Sequence, residues 1–230
     1  MILAAGRGER MRPLTEKLPK PLLEVGGHRL IEYHLAALAK HGIQDVVINL
    51  SWFGERIRET LGDGRSYGLS IRYSEEGPAP LGTGGGLFEA LPLLGSDPFL
   101  VVNGDVWSDF SLQALRPPQD SLAHLVMVEN PEHHPGGDFG IAADGKLHAA
   151  SGRLTYSGVS VLDPQLFEGC SRGEFPLKPL LERAMAAGRL TGQRHNGAWT
   201  DVGTPARLAA LDSELRLGKA GHPVLSSPVG

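Results

Sequence analysis

Apolar residues fall along this chain in two rhythms. Continuous apolar runs, Asp45-Val46-Val47-Ile48-Asn49-Leu50 and Pro98 through Asp105, predict short buried strands, as do Leu122 to Glu129 and Leu154 to Leu162. Leu69 to Tyr73 alternates like a strand. Between these runs the spacing turns helical. Ile31, Leu35, Leu38 and Ala39 share a face, and Gly42 is placed to close that helix. A polar helix is expected over about 53–61, another around Leu87, Phe88 and Leu91, and two more at about 176–187 and 204–217, the last with Thr204 as N-cap before Pro205. Phe139-Gly140-Ile141 and Lys146-Leu147-His148 flank Asp144-Gly145, a hairpin signal. Strands separated by helices imply βαβ units, so the expected architecture is α/β, doubly wound on a mostly parallel sheet, with an antiparallel insertion in the second half. One domain is expected over 1–217, with 1–110 and 111–217 as its two parts, before a Gly-, Pro- and Ser-rich tail, 218–230, expected to be flexible.

The first predicted strand runs into Gly6-Arg7-Gly8-Glu9-Arg10-Met11-Arg12 and then into a Pro19-Lys20-Pro21 corner. Glycines let backbone N–H groups approach a ligand, and arginine and lysine supply charge for anionic oxygens, so the stretch reads as a cradle for a polyphosphate. The net charge of −4 gives no basic field for nucleic acid, and a phosphate site here must be locally positive. Cys170 is the only cysteine, so no internal disulfide is possible, and a small apolar filler is its expected role. No run approaches the roughly 20 apolar residues of a membrane span. Met1 leads directly into the first strand, and a cytoplasmic protein is the expectation.

The run Leu3-Ala4-Ala5-Gly6-x-Gly8-x-Arg10-Met11-x-Pro13-Leu14-Thr15, with Pro19-Lys20-Pro21 after it, resembles the signature loop of the sugar-1-phosphate nucleotidyltransferases. The resemblance implies a Rossmann-like sheet of the nucleotidyltransferase type, whose antiparallel insertion binds the acceptor. It also implies transfer of a nucleotidyl group from a nucleoside triphosphate to a sugar 1-phosphate, with Mg²⁺ as cofactor and pyrophosphate as leaving group. On that reading Leu3, Ala4, Ala5, Gly6 and Gly8 wrap the nucleotide. Arg10 contacts the triphosphate, and Lys20 contacts the phosphate being substituted. Gly104-Asp105 matches a Gly-Asp pair in which Asp105 binds the metal, and Asp201 in Trp199-Thr200-Asp201 matches a second metal ligand. Gly82 and Thr83 fall where the base is read by backbone groups, and Thr83 is also a candidate N-cap. Gly140, Tyr156 and Gly158 fall at sugar-binding positions.

The chain departs from this pattern at the acceptor end. A Glu-Lys-Pro motif is absent between Leu147 and Leu154, where the chain reads His148-Ala149-Ala150-Ser151-Gly152-Arg153. Arg153 and Lys178 are the candidate substitutes for the lysine that grips the acceptor phosphate. Pro80 stands where several uridylyl and thymidylyl members carry a glutamine, and Leu81-Gly82-Thr83 is similar to guanylyl members. The compact length and shortened acceptor loop look most like the members that join UTP to N-acetylmuramate 1-phosphate in bacterial cell-wall recycling. GTP with mannose or heptose 1-phosphate is the alternative. A non-catalytic nucleotide-sensing subunit is a rival of another class; retention of Arg10, Lys20, Asp105 and Asp201 together argues against it. A dinucleotide oxidoreductase would need a third glycine where Met11 stands. The expected partners are a triphosphate and a sugar 1-phosphate, without nucleic acid or membrane, in a monomer or small homo-oligomer.

Overall fold

The computed structural model describes residues 1–77 and 81–225, so Pro80 lies outside the described residues. In chain order the strands and α-helices begin β1 (Ile2–Leu3), β2 (Glu24–Val25), β3 (His28–Arg29), α1 (Leu30–Lys40), β4 (Asp45–Leu50), α2 (Gly54–Leu61) and β5 (Ser70–Glu75). They continue with α3 (Gly82–Leu94), β6 (Phe99–Asn103), β7 (Val106–Ser108), β8 (Ala123–Val128), β9 (Gly140–Ile141) and β10 (Leu147–His148). The last are β11 (Thr155–Leu162), α4 (Lys178–Ala186), β12 (Leu190–Arg194), β13 (Trp199–Asp201) and α5 (Pro205–Arg216). The fold class is α/β, as expected. Contacts divide the chain into two compact units: Met1–Pro80 with Asn103–Ala114 and Gly197–Gly230, and Leu81–Val102 with Leu115–Asn196. The closing segment from 197 thus belongs with the first part of the chain.

In the first unit β4 lies between β1 and β5, and both pairings are parallel, with Ile2 opposite Ile48 and Val46 opposite Ile71. The apolar run of β4 is buried from Val46 to Leu50. Helix α1 stops where its sequence says it should. Gly42 takes φ +75, its N–H bonds the Ala39 carbonyl, and the Ile43 N–H bonds the Leu38 carbonyl, a Schellman closure. Tyr33, Leu30, Met11, Val25, Trp107 and Val202 form the heart of this unit's core. Helix α5 opens on Thr204, whose hydroxyl accepts the Arg207 N–H at 3.3 Å, the cap expected from the sequence. Past α5, Ala220 and Leu225 pack on this core, and the Lys40 ammonium donates to the Pro223 carbonyl at 2.8 Å. Residues 226–230 lie outside the described residues.

In the second unit β11 runs antiparallel to both β6 and β8, while β12 runs parallel to β8. Strand β8 is buried at every position. The hairpin of β9 and β10 closes at Asp144-Gly145 as its sequence predicts. Strand β12 was not foreseen. Gly192 interrupts its apolar pattern, and a Cβ there would meet Leu147 Cδ2 at 2.8 Å, so the glycine is needed for Leu147 to pack against the strand. Thr83 is not the N-cap of α3. The helix is entered through Leu81 with no side-chain cap, and Thr83 lies inside its first turn. The Phe175 carbonyl replaces the cap, accepting the Gly84 and Gly85 N–H groups at 3.0 and 3.1 Å. That close approach requires glycine, since a Cβ on Gly84 would meet Phe175 Cδ2 at 2.5 Å.

Candidate active site

The signature loop is braced largely by itself. A single helical turn, Glu9–Met11, drops the fully buried Met11 into the core. Gly8 takes φ +62, and the Thr15 hydroxyl donates to its carbonyl at 2.8 Å. Asn49, at the end of β4, anchors the loop's origin: its Oδ1 accepts the buried Ala4 N–H at 2.7 Å, and its Nδ2 donates to Glu76 Oε1. These contacts sort the motif residues. Met11 and Thr15 build the loop, whereas Arg10 is exposed and has no partner among the described residues.

Lys20 is drawn inward. Its ammonium donates to Asp105 Oδ2 at 2.7 Å, with the lysine side chain only 10% exposed and the aspartate 42%. Pro19 and Pro21 limit the backbone on either side and so help aim that side chain. Asp105 does not end a strand: β6 stops at Asn103, and Gly104-Asp105 form the turn into β7. Gly104 is required by the fold itself, because a Cβ there would lie 2.7 Å from the Leu3 carbonyl oxygen, which accepts the Gly104 N–H at 2.9 Å. Gly6 is the opposite case. A Cβ there would meet nothing within 4 Å, and its φ is not positive, so neither packing nor conformation asks for glycine.

Asp105 and Asp201 are brought together. Strands β7 and β13 pair antiparallel with Asp201 opposite Val106, and the Val202 N–H donates to the Asp105 carbonyl at 2.8 Å. Asp201 is held by Arg207, Nη1 to Oδ1 at 2.6 Å. A Cβ on Gly203 would lie 2.2 Å from Arg207 Nη2, so that glycine clears the guanidinium's path. Among the described residues no group of three or more His, Cys, Asp or Glu could hold a metal. The chemistry of Asp105 and Asp201 fits Mg²⁺ nonetheless, because that ion binds through one or two carboxylates and takes its other ligands from water and substrate phosphates. Behind the turn lies His34, half-buried as a residue. It hydrogen bonds to the Val106 backbone, its buried Nε2 has no partner among the described residues, and desolvation pushes its pKa down to about 4. Asn49, Arg207 and His34 escaped the sequence reading. Asn49 left a signal, a polar residue inside an otherwise apolar strand, where buried polar groups must be bonded; Arg207 and His34 left none.

The remaining candidates lie in the second unit. Gly82 and Thr83 are exposed at the start of α3, before the Phe175-bound N–H groups, and their own N–H groups have no partner among the described residues. Gly140 is buried under His148, and a Cβ there would meet His148 Cε1 at 2.2 Å. His148 Nδ1 is itself buried without a partner among the described residues. Tyr156 donates its hydroxyl to Ser160 Oγ at 2.8 Å, and burial pushes the phenol up to about 12. Its backbone N–H donates to Asp138 Oδ2 at 2.8 Å. Gly158, at φ +85, occupies the register break of β11 against β8. Nearby, Asn130, Gly136, Ala149, Ser151 and Arg153 line an open cavity of about 520 Å³. Of the two candidate substitute cations, Arg153 spends its guanidinium on its own loop, donating from Nε to the Ala149 and Ala150 carbonyls at 3.0 and 3.2 Å. Lys178 is exposed on α4.

Known proteins resemble this chain along nearly its whole length. It is 48% identical over 217 residues to N-acetylmuramate alpha-1-phosphate uridylyltransferase of Neisseria meningitidis serogroup B, covering 90% of this chain and 94% of that one. The enzyme of the same name from Caulobacter vibrioides is 35% identical over 237 residues, covering 96% and 97%. A crystal structure from Bacillus anthracis, described as a glucose-1-phosphate thymidylyltransferase with sucrose bound, superposes with a TM-score of 0.80 at 23% identity, over 92% of each chain, a likeness of fold. The nucleotidyl transferase family model matches residues 1–216, and the chain belongs to that family.

Proposed function

We propose that this chain transfers a uridylyl group from UTP to N-acetylmuramate 1-phosphate, releasing pyrophosphate. A phosphate oxygen of the sugar phosphate forms a bond to the α-phosphorus as the bond from that phosphorus to the β-phosphate bridge breaks. The observation that carries the reaction class is the 2.7 Å Lys20–Asp105 pair, together with a glycine loop whose exposed Arg10 has no partner among the described residues. The two full-length uridylyltransferase relatives support the choice of substrates.

Such a transfer brings two anions together, so positioning and charge neutralisation dominate it. Arg10 binds the triphosphate and offsets charge on the departing pyrophosphate. Lys20, already within hydrogen-bond reach of one carboxylate oxygen, binds the phosphate that is attacked. Gly6 leaves room for phosphate oxygens, and the N–H groups of Gly82 and Thr83, without partners among the described residues, are suited to reading a base edge. Asp105 and Asp201 would hold Mg²⁺, which supplies neutralising charge on the phosphates when bound. Asn49 and His34 fix the backbone that carries these groups. Because the reaction draws on UTP, the proposal puts the enzyme in the cytoplasm; no helix of the described residues is long and apolar enough to cross a membrane.

The test is pyrophosphate release by the purified protein, with each of the four common triphosphates against muramate, glucosamine, glucose and mannose 1-phosphates, muramate and glucosamine being N-acetylated. UTP with N-acetylmuramate 1-phosphate is expected to give the highest kcat/KM. A preference for GTP with mannose 1-phosphate would overturn the substrate assignment, and no release with any pair would leave a nucleotide-sensing role.

A further inference from the structure

Arg7 stands between Gly6 and Gly8 and is exposed. Its one contact among the described residues is aromatic: the guanidinium carbon lies 5.7 Å from the ring centroid of Trp52. Trp52 is itself unusual, a tryptophan left 37% exposed just beyond the end of β4. It is held edge-on by Phe53, with ring centroids 4.9 Å apart. Phe53 takes φ +54, the one non-glycine residue with positive φ among those described. A phenylalanine in that conformation is strained, and the strain persists only where the surroundings impose it. Three residues before Trp52, Asn49 bonds Ala4, so the platform and the signature loop share one anchor.

We infer that Trp52 is a resting platform for Arg7, and that Arg7 is a further phosphate-binding residue that leaves the platform when a nucleoside triphosphate enters. The inference rests on the reading of this loop as a triphosphate cradle. A guanidinium over an exposed indole is held weakly, whereas charge-assisted hydrogen bonds to phosphate are among the strongest a side chain makes. The exchange therefore runs toward the nucleotide. Gly6 permits it: a Cβ there would meet nothing within 4 Å, and the backbone there has the freedom of glycine. Held on Trp52, Arg7 adds no free cation to Arg10 while the loop is empty, yet remains beside the place where an anion arrives.

Tryptophan emission and steady-state kinetics test this together. Adding UTP with Mg²⁺ to the intact protein is expected to change the emission, and the change is expected to vanish in Trp52→Phe and in Arg7→Gln. Arg7→Gln is expected to raise the KM for UTP by at least about tenfold, leaving the KM for the sugar phosphate unchanged. Trp52→Ala removes the competing contact, so its KM for UTP is expected to stay level or fall, by up to about fivefold. An unaltered KM for UTP in Arg7→Gln overturns the inference. So does a rise in that KM in Trp52→Ala, which would make the indole a stacking surface for the base. If the unmutated protein neither binds nor turns over any triphosphate, the cradle reading fails and this inference with it. Normal turnover with an indifferent Arg7 defeats the inference alone.

Discussion

Asn49→Ala is the substitution whose effect follows most directly from the structure. Asn49 is 4% exposed at the end of β4. Its Oδ1 accepts the buried Ala4 N–H at 2.7 Å, which settles which end of the amide faces β1, because a backbone N–H needs an acceptor. Its Nδ2 donates to Glu76, one residue beyond β5, so one side chain links the ends of β1, β4 and β5. Alanine leaves the Ala4 N–H buried and unpaired, at about 1–3 kcal/mol. The expected loss is about 2 kcal/mol, or roughly 4–8 °C in Tm for a chain of this size. Asn49→Asp separates the two bonds. The acceptor for Ala4 survives, but a carboxylate oxygen replaces the donor to Glu76, setting like charges together. Its deficit should shrink in acid, where a shared proton relieves the like charges, while the alanine deficit should not. Urea unfolding at pH 7 and pH 5, with the m-value checked for constancy, reads both effects. An alanine variant within about 0.5 kcal/mol of the parent at unchanged m would refute the argument that this amide anchors the loop.

Asp105→Ala and Asp201→Ala should each lower kcat by about 10²-fold or more in pyrophosphate release while the far-ultraviolet circular dichroism is retained; full activity in either removes that carboxylate from the site. Gly6→Ala should leave Tm unchanged or slightly raised, since nothing lies within 4 Å of the new methyl, yet should raise the KM for the triphosphate about tenfold or more. Acid should destabilise the protein through His34. Its folded pKa, about 4, lies below the ordinary 6.5, so the unfolded chain takes up the proton first. Stability present above pH 6.5 is therefore lost as the pH falls toward 4, by about 3 kcal/mol in all, and His34→Leu should flatten that slope in urea titrations.

Most of the strands and helices were legible because each followed a local rule. The β4 run, the Gly42 closure of α1, the Thr204 cap and the Asp144-Gly145 hairpin all depend on residues within a few positions of each other. What was not legible depended on distant partners. Strand β12 hid behind Gly192, whose reason is Leu147, some forty-five residues away in sequence. Thr83 looked like a cap because the carbonyl that serves α3, Phe175, comes from a distant loop. His222 meets Tyr33 edge-on with centroids 5.0 Å apart, and no local pattern announces that contact. In the same way Asp105 and Asp201 could be picked out singly, while the backbone bond that joins them, Val202 to Asp105, and the arginine on Asp201 needed the folded chain.

A signature motif mixes residues that make a loop with residues that use it, and the two kinds respond to different physics. In the first loop Met11 is consumed by the core, Thr15 by the Gly8 carbonyl, and Gly8 by its own φ. Substituting any of them should cost stability first and activity second. Gly104 belongs with them, since the Leu3 carbonyl explains it completely. Gly6 and Arg10 have no such explanation, for one has empty space where a side chain would be and the other has no partner among the described residues. Arg7 comes close, held by one weak aromatic contact. A residue that the unliganded fold does not need is retained for what the fold encounters, so Gly6, Arg7 and Arg10 are the positions at which activity should be lost while stability is kept. The same division explains why the motif identifies the reaction more readily than the substrate. The loop's own anatomy answers to phosphate, while the positions expected to meet the sugar lie in the second unit, where Arg153 is spent on its own loop and Gly140 on His148.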